Sequence, residues 1–160
     1  MLYFLHSASC SVIVVCRSNY AAISSQGFHI STVKLSSDVH AQPPVVCNAA
    51  KAAQKSDGSD GIWDYILVNG KAFPGSQPTQ ASPIAPAVGP QTTIALLQNG
   101  IGIEDEYAAA FPNNPLLSGV VYLPVTQTAP GWERSNCWNS ARILPTRRKR
   151  TMRVQRSLRR

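Results

Sequence analysis

Residues 92–97 read TTIALL, and with residues 63–68 (WDYILV) they decide the fold class. Both stretches are short and largely apolar, which is typical of strands buried on both faces of a parallel sheet. Residues 11–16 (SVIVVC) and 117–123 (LSGVVYL) repeat this pattern. The segments between these strands favour short helices at 20–26, 49–54 and 104–111. The alternation predicts an α/β fold with a doubly wound and mostly parallel sheet.

The composition bounds the class of protein. The chain has 160 residues, of which 44% are hydrophobic and 14% charged, enough for one domain with its own core. This excludes a chain disordered throughout, a collagen repeat and a disulfide-rich miniprotein. No apolar run exceeds five residues, so we expect no membrane span. The apolar start lacks a preceding positive charge, which argues against a secretory signal and favours a cytoplasmic location.

The cysteines and histidines indicate no catalytic or metal site. No CxxC motif is present, and no two potential ligands have the spacing of a structural zinc site. We therefore expect reduced, structural cysteines in an intracellular protein, with Cys16 as a buried strand thiol. His6, His29 and His40 have no neighbouring acid or nucleophile in a recognisable arrangement and are predicted to be structural.

In parallel α/β sheets ligands bind beyond the carboxyl ends of the strands. Three polar segments follow predicted strands there: residues 17–19 (RSN), 69–71 (NGK) and 98–100 (QNG). In dinucleotide-binding folds an arginine after the second strand accommodates the 2′-phosphate of NADP, which the guanidinium of Arg17 can bind as a fork. The alternative is that Arg17 is a solvated residue at a strand end.

The other two segments carry a cation, an amide and two glycines. Lys71 can hold phosphate or ribose, or polarise a carbonyl as a point charge, and the alternative is a surface lysine in a turn. Asn99 can orient a nicotinamide or a substrate hydroxyl, while Gly100 permits close backbone approach to a ligand. The alternative for this pair is a plain turn, where Asn-Gly is common.

Residues 64–131 closely resemble the N-terminal domain of the ketopantoate reductases (2-dehydropantoate 2-reductases), with the fungal branch nearest. The resemblance rests on DYILVNGKAFPGSQP, TTIALLQNGIGIEDEY and FPNNPLLSGVVYLPVTQTAPG, and its specific motifs are KA at 71–72 and QNGIG at 98–102. Residues 11–30 are similar to the second strand of the family and the segment after it. The resemblance implies an oxidoreductase that uses NADPH to convert ketopantoate into pantoate on the pantothenate route.

The resemblance also implies roles for the strand-end residues. Arg17, with Ser18 and Asn19, would face the 2′-phosphate of NADP. Lys71 would lie beside the cofactor, and Asn99 with Gly100 beside the nicotinamide and the α-keto acid substrate.

Three departures from the family pattern count against an active enzyme. The family opens with a strand and a GxGxxG turn, whereas we expect this chain to start inside the first helix, so that its Rossmann-like sheet lacks the first strand. Residues 69–70 (NG) replace the small or hydroxyl residues expected before the lysine. We also expect the helical C-terminal domain of the family, with its catalytic lysine and substrate-binding acid, to be absent. Residues 1–131 are therefore predicted to be a partial NADP-binding domain that does not catalyse the reaction alone.

The net charge of +7 belongs to the C-terminal end. Residues 1–131 hold five basic and seven acidic residues, a net charge of −2, and residues 132–160 hold ten basic and one acidic, a net charge of +9. We expect an irregular, disordered basic tail over 132–160. An abrupt change of this kind is expected from a frameshift, intron read-through or a mis-predicted gene end. The alternatives are a basic arm that binds nucleic acid or an anionic surface, and a chain with no stable fold.

Overall fold

A computed structural model describes residues 10–32, 38–54, 62–73, 75–122, 125–135 and 140–145. The predicted absence of a first strand before residue 10 lies outside these ranges. The strands are β1 Val14–Val15, β2 Phe28–Thr32, β3 Val39–Ala41, β4 Val45–Val46, β5 Tyr65–Val68, β6 Thr93–Leu96, β7 Leu116–Tyr122, β8 Val125–Ala129, β9 Trp132–Ser135 and β10 Ser140–Pro145. The helices are α1 Tyr20–Gln26, α2 Ala49–Ala52, a 3₁₀ helix Ser82–Ala87 and α3 Glu104–Ala110.

The main sheet has the strand order β10-β7-β6-β5. Strands β5, β6 and β7 are parallel, with Leu96 paired to Val68 on one side and to Ser118 on the other. Strand β10 adds antiparallel to β7. The inner strand β6 is the most buried, and its Ile94 and Leu96 form the core cluster with Ala81, Ile103 and Tyr107. The predicted α/β fold with parallel strands is confirmed.

Two strands predicted to be buried on both faces are more exposed than expected. Strand β1 pairs only with β4, in a separate parallel pair, and β5 pairs only with β6 among the described residues. Within the described ranges each strand thus has a single neighbour, and Tyr65 at the start of β5 is 65% exposed. Cys16, directly after β1, is half-buried rather than buried. A short apolar run indicates that the faces of a strand can be buried, but it does not determine how many neighbouring strands pair with it.

A third sheet, β3-β2-β9-β8, includes the start of the predicted tail. Strand β9 pairs parallel to β2 and antiparallel to β8, and residues 140–145 form β10 on the main sheet. The sequence predicted an irregular segment from Trp132 onward, so these two strands are a difference from that prediction. Strand pairing uses the backbone N–H and C=O groups that every non-proline residue carries. A segment rich in basic side chains can therefore still form strands. Residues 136–139 and 146–160 lie outside the described residues.

The helices follow the sequence prediction closely. Helix α1 has the predicted bounds, α2 is shorter at its C-terminal end, and α3 ends one residue earlier than predicted. The side chain of Asn48 caps α2 by accepting a hydrogen bond from the backbone N–H of Lys51 at 2.9 Å. Residues 75–90, which are rich in proline, hold the short 3₁₀ helix, with Pro86 inside it. In the part of the chain that the structure describes, no helix is long and apolar enough to cross a bilayer.

Candidate functional site

The segments after β5 and β6 leave the sheet at the same edge. The two strands are parallel and in register, and the backbone N–H of Leu97 donates to the carbonyl of Val68 at 2.8 Å where both strands end. Lys71 and Asn99 follow within three residues of this bond. The structure therefore carries these two predicted site residues away from the sheet in the same direction, as expected for a parallel pair.

A buried amide joins the two segments. Gln98 is only 6% exposed, and its Nε2 donates to the carbonyl of Gly70 at 2.9 Å and to Oε1 of Gln80 at 3.3 Å. The hydroxyl of Tyr107 in α3 donates to Oε1 of Gln98 at 3.4 Å. Sequence reasoning included Gln98 in a strand-end motif but assigned it no role. The available signal was a polar residue directly after an apolar strand, where a buried side chain needs hydrogen-bond partners.

The side chains of Lys71 and Asn99 face solvent. Both residues are exposed, and neither makes a side-chain hydrogen bond or ion pair with the described residues. Gly100 is also exposed and has a φ of +143°, and a Cβ built there would lie 2.8 Å from Cγ2 of Ile103. The ammonium and amide groups are thus available to a ligand, and glycine is required at position 100 by its backbone conformation and by space.

Helix α3 holds the loop that follows Lys71. The carboxylate of Glu106 accepts the backbone N–H of Gly75 through Oε1 at 3.0 Å and that of Gln80 through Oε2 at 3.2 Å. A small cleft lies here, lined by Gln80, Gly102, Ile103 and Glu106. The acids of residues 104–106 begin a helix as predicted, and Glu106 also anchors this loop.

Two apolar side chains are exposed in the same two loops. Phe73 follows Lys71 and Ile101 follows Gly100, and both are largely or fully exposed to solvent. The polar groups of Lys71 and Asn99 therefore have apolar neighbours in sequence. Sites for ring-shaped ligands commonly combine these two kinds of side chain.

The third predicted segment lies at the end of a different strand pair. Arg17 and Ser18 are exposed and Asn19 is half-buried, and all three follow β1, which pairs with β4. The carbonyl of Arg17 accepts the backbone N–H of Tyr20 at 3.2 Å, which closes the turn into α1. No hydrogen bond among the described residues links this segment to those of Lys71 and Asn99.

The cysteines and histidines of the described residues lie apart from the Lys71 and Asn99 segments in sequence. Within the described ranges, no group of three or more His, Cys, Asp or Glu residues is placed to hold a metal ion. Burial, and secondarily the negative charge of Glu133, raises the pKa of the Cys16 thiol above its ordinary value. Glu133, whose charge contributes to this shift, is in β9. His29 and His40 lie opposite each other in the third sheet.

Comparison with solved structures shows the same fold in several reductases. The chain is 33% identical to the 2-dehydropantoate 2-reductase from Methylococcus capsulatus, with a TM-score of 0.74 over 87% of this chain and 42% of that one. The corresponding enzyme from Geobacter metallireducens GS-15 is 23% identical, with a TM-score of 0.73 over 90% of this chain and 45% of that one. The chain thus spans less than half the length of these two structures.

A further structural neighbour has another substrate. The ternary structure of D-mandelate dehydrogenase with NADH and anilino(oxo)acetate matches with a TM-score of 0.69 at 20% identity, over 88% of this chain and 43% of that one. At this identity the likeness shows the fold alone. These likenesses identify the α/β fold as the Rossmann-like type found in the N-terminal domain of ketopantoate reductases.

The family assignment rests on a match over most of the sequence. A search of curated protein sequences finds no match. The family model described as "Ketopantoate reductase PanE/ApbA" matches residues 1–140, which extends past the change of charge at residue 132. With the main sheet and its strand-end segments in place, this match shows that the chain belongs to the ketopantoate reductase family.

Proposed function

We propose that this chain binds NADPH at the carboxyl edge of its parallel strands, as the cofactor-binding part of a reductase that converts 2-dehydropantoate into pantoate. The observation that carries the proposal is the juxtaposition of the Lys71 and Asn99 segments at one sheet edge, fixed by the bond from Gln98 to Gly70. The family assignment supports the reaction class. The bound NADH named for the mandelate dehydrogenase neighbour supports a dinucleotide on this type of fold.

The residues of the edge fit a dinucleotide chemically. Lys71 offers an exposed cation for phosphate or ribose, and Asn99 offers an amide that can donate to and accept from a nicotinamide carboxamide. Gly100 lacks the Cβ that would hold a ligand away from its backbone. Arg17, Ser18 and Asn19 are proposed to bind the 2′-phosphate through the guanidinium and neighbouring polar groups.

The division of labour follows from these side chains. When bound, NADPH supplies the hydride for the α-keto carbonyl. The part of this chain is to bind and orient: Lys71 and Arg17 hold the anionic parts of the cofactor, and Asn99 fixes the ring and the substrate oxygen. We propose that residues 1–160 alone bind the cofactor without forming pantoate, because no general acid is assigned among the residues of this edge.

Fluorescence titration of residues 1–160 with NADPH tests the proposal, with NADH as the comparison ligand. We expect saturable binding that prefers NADPH. Arg17→Ala should weaken NADPH binding and abolish the preference, because the 2′-phosphate is the only difference between the ligands. Lys71→Ala should weaken both ligands. Arg134→Ala removes an exposed cation from β9 and serves as the control. Absence of saturable NADPH binding, or an equal effect of Arg134→Ala, would count against the proposal.

Electrostatic binding of nucleic acid or an anionic surface through residues 132–160 is a separate prediction. Affinity carried by phosphate contacts would fall steeply as salt rises and would be lost on deletion of these residues. NADPH binding through Arg17 and Lys71 requires no residue of the 146–160 segment. Deletion of residues 146–160 therefore separates the two functions, because it should weaken binding through the basic residues and leave NADPH binding unchanged, whereas rising salt weakens the phosphate contacts of both ligands.

A further inference from the structure

We propose that Gln98 is a positioning residue that fixes the backbone before Lys71 relative to the backbone before Asn99, so that both side chains reach one ligand. The inference rests on the proposed function, since it concerns the same cofactor edge. Gly70 immediately precedes Lys71, and Gln98 immediately precedes Asn99. One hydrogen bond, 2.9 Å from Nε2 of Gln98 to the carbonyl of Gly70, therefore spans the two candidate binding residues.

Both the nitrogen and the oxygen of the Gln98 side-chain amide make hydrogen bonds. Its two Nε2 protons go to Gly70 and Gln80, and its Oε1 accepts from the hydroxyl of Tyr107, a residue that is 2% exposed. Rotating the amide by half a turn would place Oε1 against the carbonyl of Gly70 and Nε2 against the Tyr107 hydroxyl. An unpaired polar group in such a buried place is costly, so the three partners together fix one orientation of the side chain.

The turn at Gly70 has few other anchors among the described residues. Gly70 has no side chain, and a Cβ built there would meet nothing within 4 Å. Lys71 is exposed and Phe73 is largely exposed, so neither anchors the loop by packing, whereas the small side chain of Ala72 is partly buried against the core cluster. Further along, the carboxylate of Glu106 accepts hydrogen bonds from the backbone N–H groups of Gly75 and Gln80. The Gln98 bond is therefore the hydrogen bond that anchors the start of the loop, and Glu106 holds its later part.

Hydrogen–deuterium exchange of the full chain, measured without cofactor, tests the anchor directly. Gln98→Met keeps the length of the side chain but has no amide. We expect faster exchange in peptides covering residues 69–76, in which the backbone N–H groups of Gly75 and Ser76 are hydrogen-bonded, and unchanged exchange in β6. Gln98→Glu retains an acceptor for Tyr107 but, when ionised, offers no donor to Gly70, so it should give the same result. Gln127→Met makes the same change on exposed β8 and is the matched control.

A binding experiment then separates positioning from general stabilisation. We expect Gln98→Met to weaken the binding of NADPH about tenfold, which corresponds to the loss of one net hydrogen bond. Binding of 2′-phospho-ADP-ribose, which keeps the phosphates that Lys71 is proposed to hold but lacks the nicotinamide ring that Asn99 is proposed to orient, should weaken by a smaller factor. Tyr107→Phe removes only the hydroxyl that orients the amide, and it should shift both measurements in the same direction by a smaller amount.

Each outcome decides the inference. Unchanged exchange over 69–76 in Gln98→Met and Tyr107→Phe would overturn it, and so would equal losses of affinity for NADPH and 2′-phospho-ADP-ribose. If the wild-type chain binds no NADPH, the proposed function fails. Faster exchange over 69–76 would in that case still establish that Gln98 fixes the Lys71 segment against the Asn99 segment, and unchanged exchange would refute it.

Discussion

The indole ring of Trp132 lies flat on the imidazole of His29, with ring centroids 4.0 Å apart and planes inclined by 8°. The ring of His40 lies on a neighbouring strand, with its centroid 4.6 Å from that of His29. The registers His29↔Trp132 and His29↔His40 place the three rings across β9, β2 and β3. Nε2 of His40 is 2.8 Å from the carbonyl of Gln26, at the end of α1. The first residue of the basic segment is thus joined to the rest of the fold.

Replacing Trp132 by alanine should destabilise the protein. The stacked pair contributes about 0.5–1.5 kcal/mol beyond burial. For a domain of this size the loss lowers the melting temperature by roughly 2–4 °C per kcal/mol, measured by circular dichroism. Val125→Ala on β8 is the control, because Val125 is 43% exposed against 44% for Trp132 and has no ring contact among the described residues. Equal melting temperatures for the two variants would contradict the prediction.

Thr92→Val should cost more stability than its size suggests. Thr92 is fully buried, and its hydroxyl donates to the carbonyl of Trp63 at 2.6 Å and accepts the backbone N–H of Gly89 at 2.9 Å. Valine has nearly the same shape but leaves both groups unpaired, which costs about 1–3 kcal/mol each.

Urea denaturation of this variant measures the loss as a lower midpoint with an unchanged slope. Thr93→Val is the matched control, since Thr93 is half-buried in β6 and its hydroxyl has no hydrogen bond with the described residues. A midpoint for Thr92→Val as high as that for Thr93→Val would refute the role of the hydroxyl.

The elements were predictable from local pattern, and the site was only partly so. The apolar run at 92–97 gave the central strand β6, and the segment 20–26 gave a helix with its observed bounds, because apolar spacing and a stopping glycine act over a few residues. The strand-end rule then selected the segments that hold Lys71 and Asn99. The proposed roles of these residues, and of Arg17, Ser18 and Gly100, stay predictions.

The tertiary contacts were not predictable from these patterns. Gln98 bonds to Gly70, which lies 28 positions away, and no local rule relates the two residues. That β1 and β5 each have one neighbour among the described strands depends on which segments pair, and composition does not determine this. The change of charge at residue 132 predicted the start of an irregular tail. Residues 132–135 instead form β9, which pairs with β2 and β8 from the part of the chain before residue 132. Pairing between distant segments depends on the whole chain, so local patterns in a single sequence do not predict it.

Gly27 is expected to tolerate no side chain. Its φ is +70°, and a Cβ there would lie 2.7 Å from the carbonyl oxygen of Ala41 and 2.8 Å from Nε2 of His40. Gly27→Ala therefore adds a clash with backbone to the strain of a φ of +70° with a ψ of −159°, a region adopted almost only by glycine, which alone costs about 1–3 kcal/mol. Gly75→Ala is the matched control, because Gly75 has a φ of +74° and nothing within 4 Å of its Cβ position. Equal unfolding midpoints in urea would show that the clash relaxes without cost.

The thiol of Cys16 should react slowly with iodoacetamide near neutral pH. Burial and the charge of Glu133 raise its pKa above the ordinary 9.0, so the reactive thiolate forms only at higher pH than in a solvated cysteine. Glu133→Gln removes the second of these two causes and leaves the first. The pKa should then fall toward its ordinary value, and the alkylation rate at a fixed pH below the pKa should rise.

Peptide mass spectrometry after timed alkylation resolves Cys16 from the other three cysteines. The alkylation rate of Cys16 is measured between about pH 7 and pH 10, a range that spans the ordinary thiol pKa. The curve of rate against pH should shift to lower pH in Glu133→Gln. Glu104→Gln removes the same charge from α3, and it should leave the Cys16 curve unchanged because Glu104 is not among the groups that perturb this thiol. A curve that moves equally in both variants would show only a change of net charge. A curve that moves in Glu133→Gln alone would show that β9, in the basic segment, lies against the strand end that leads to Arg17.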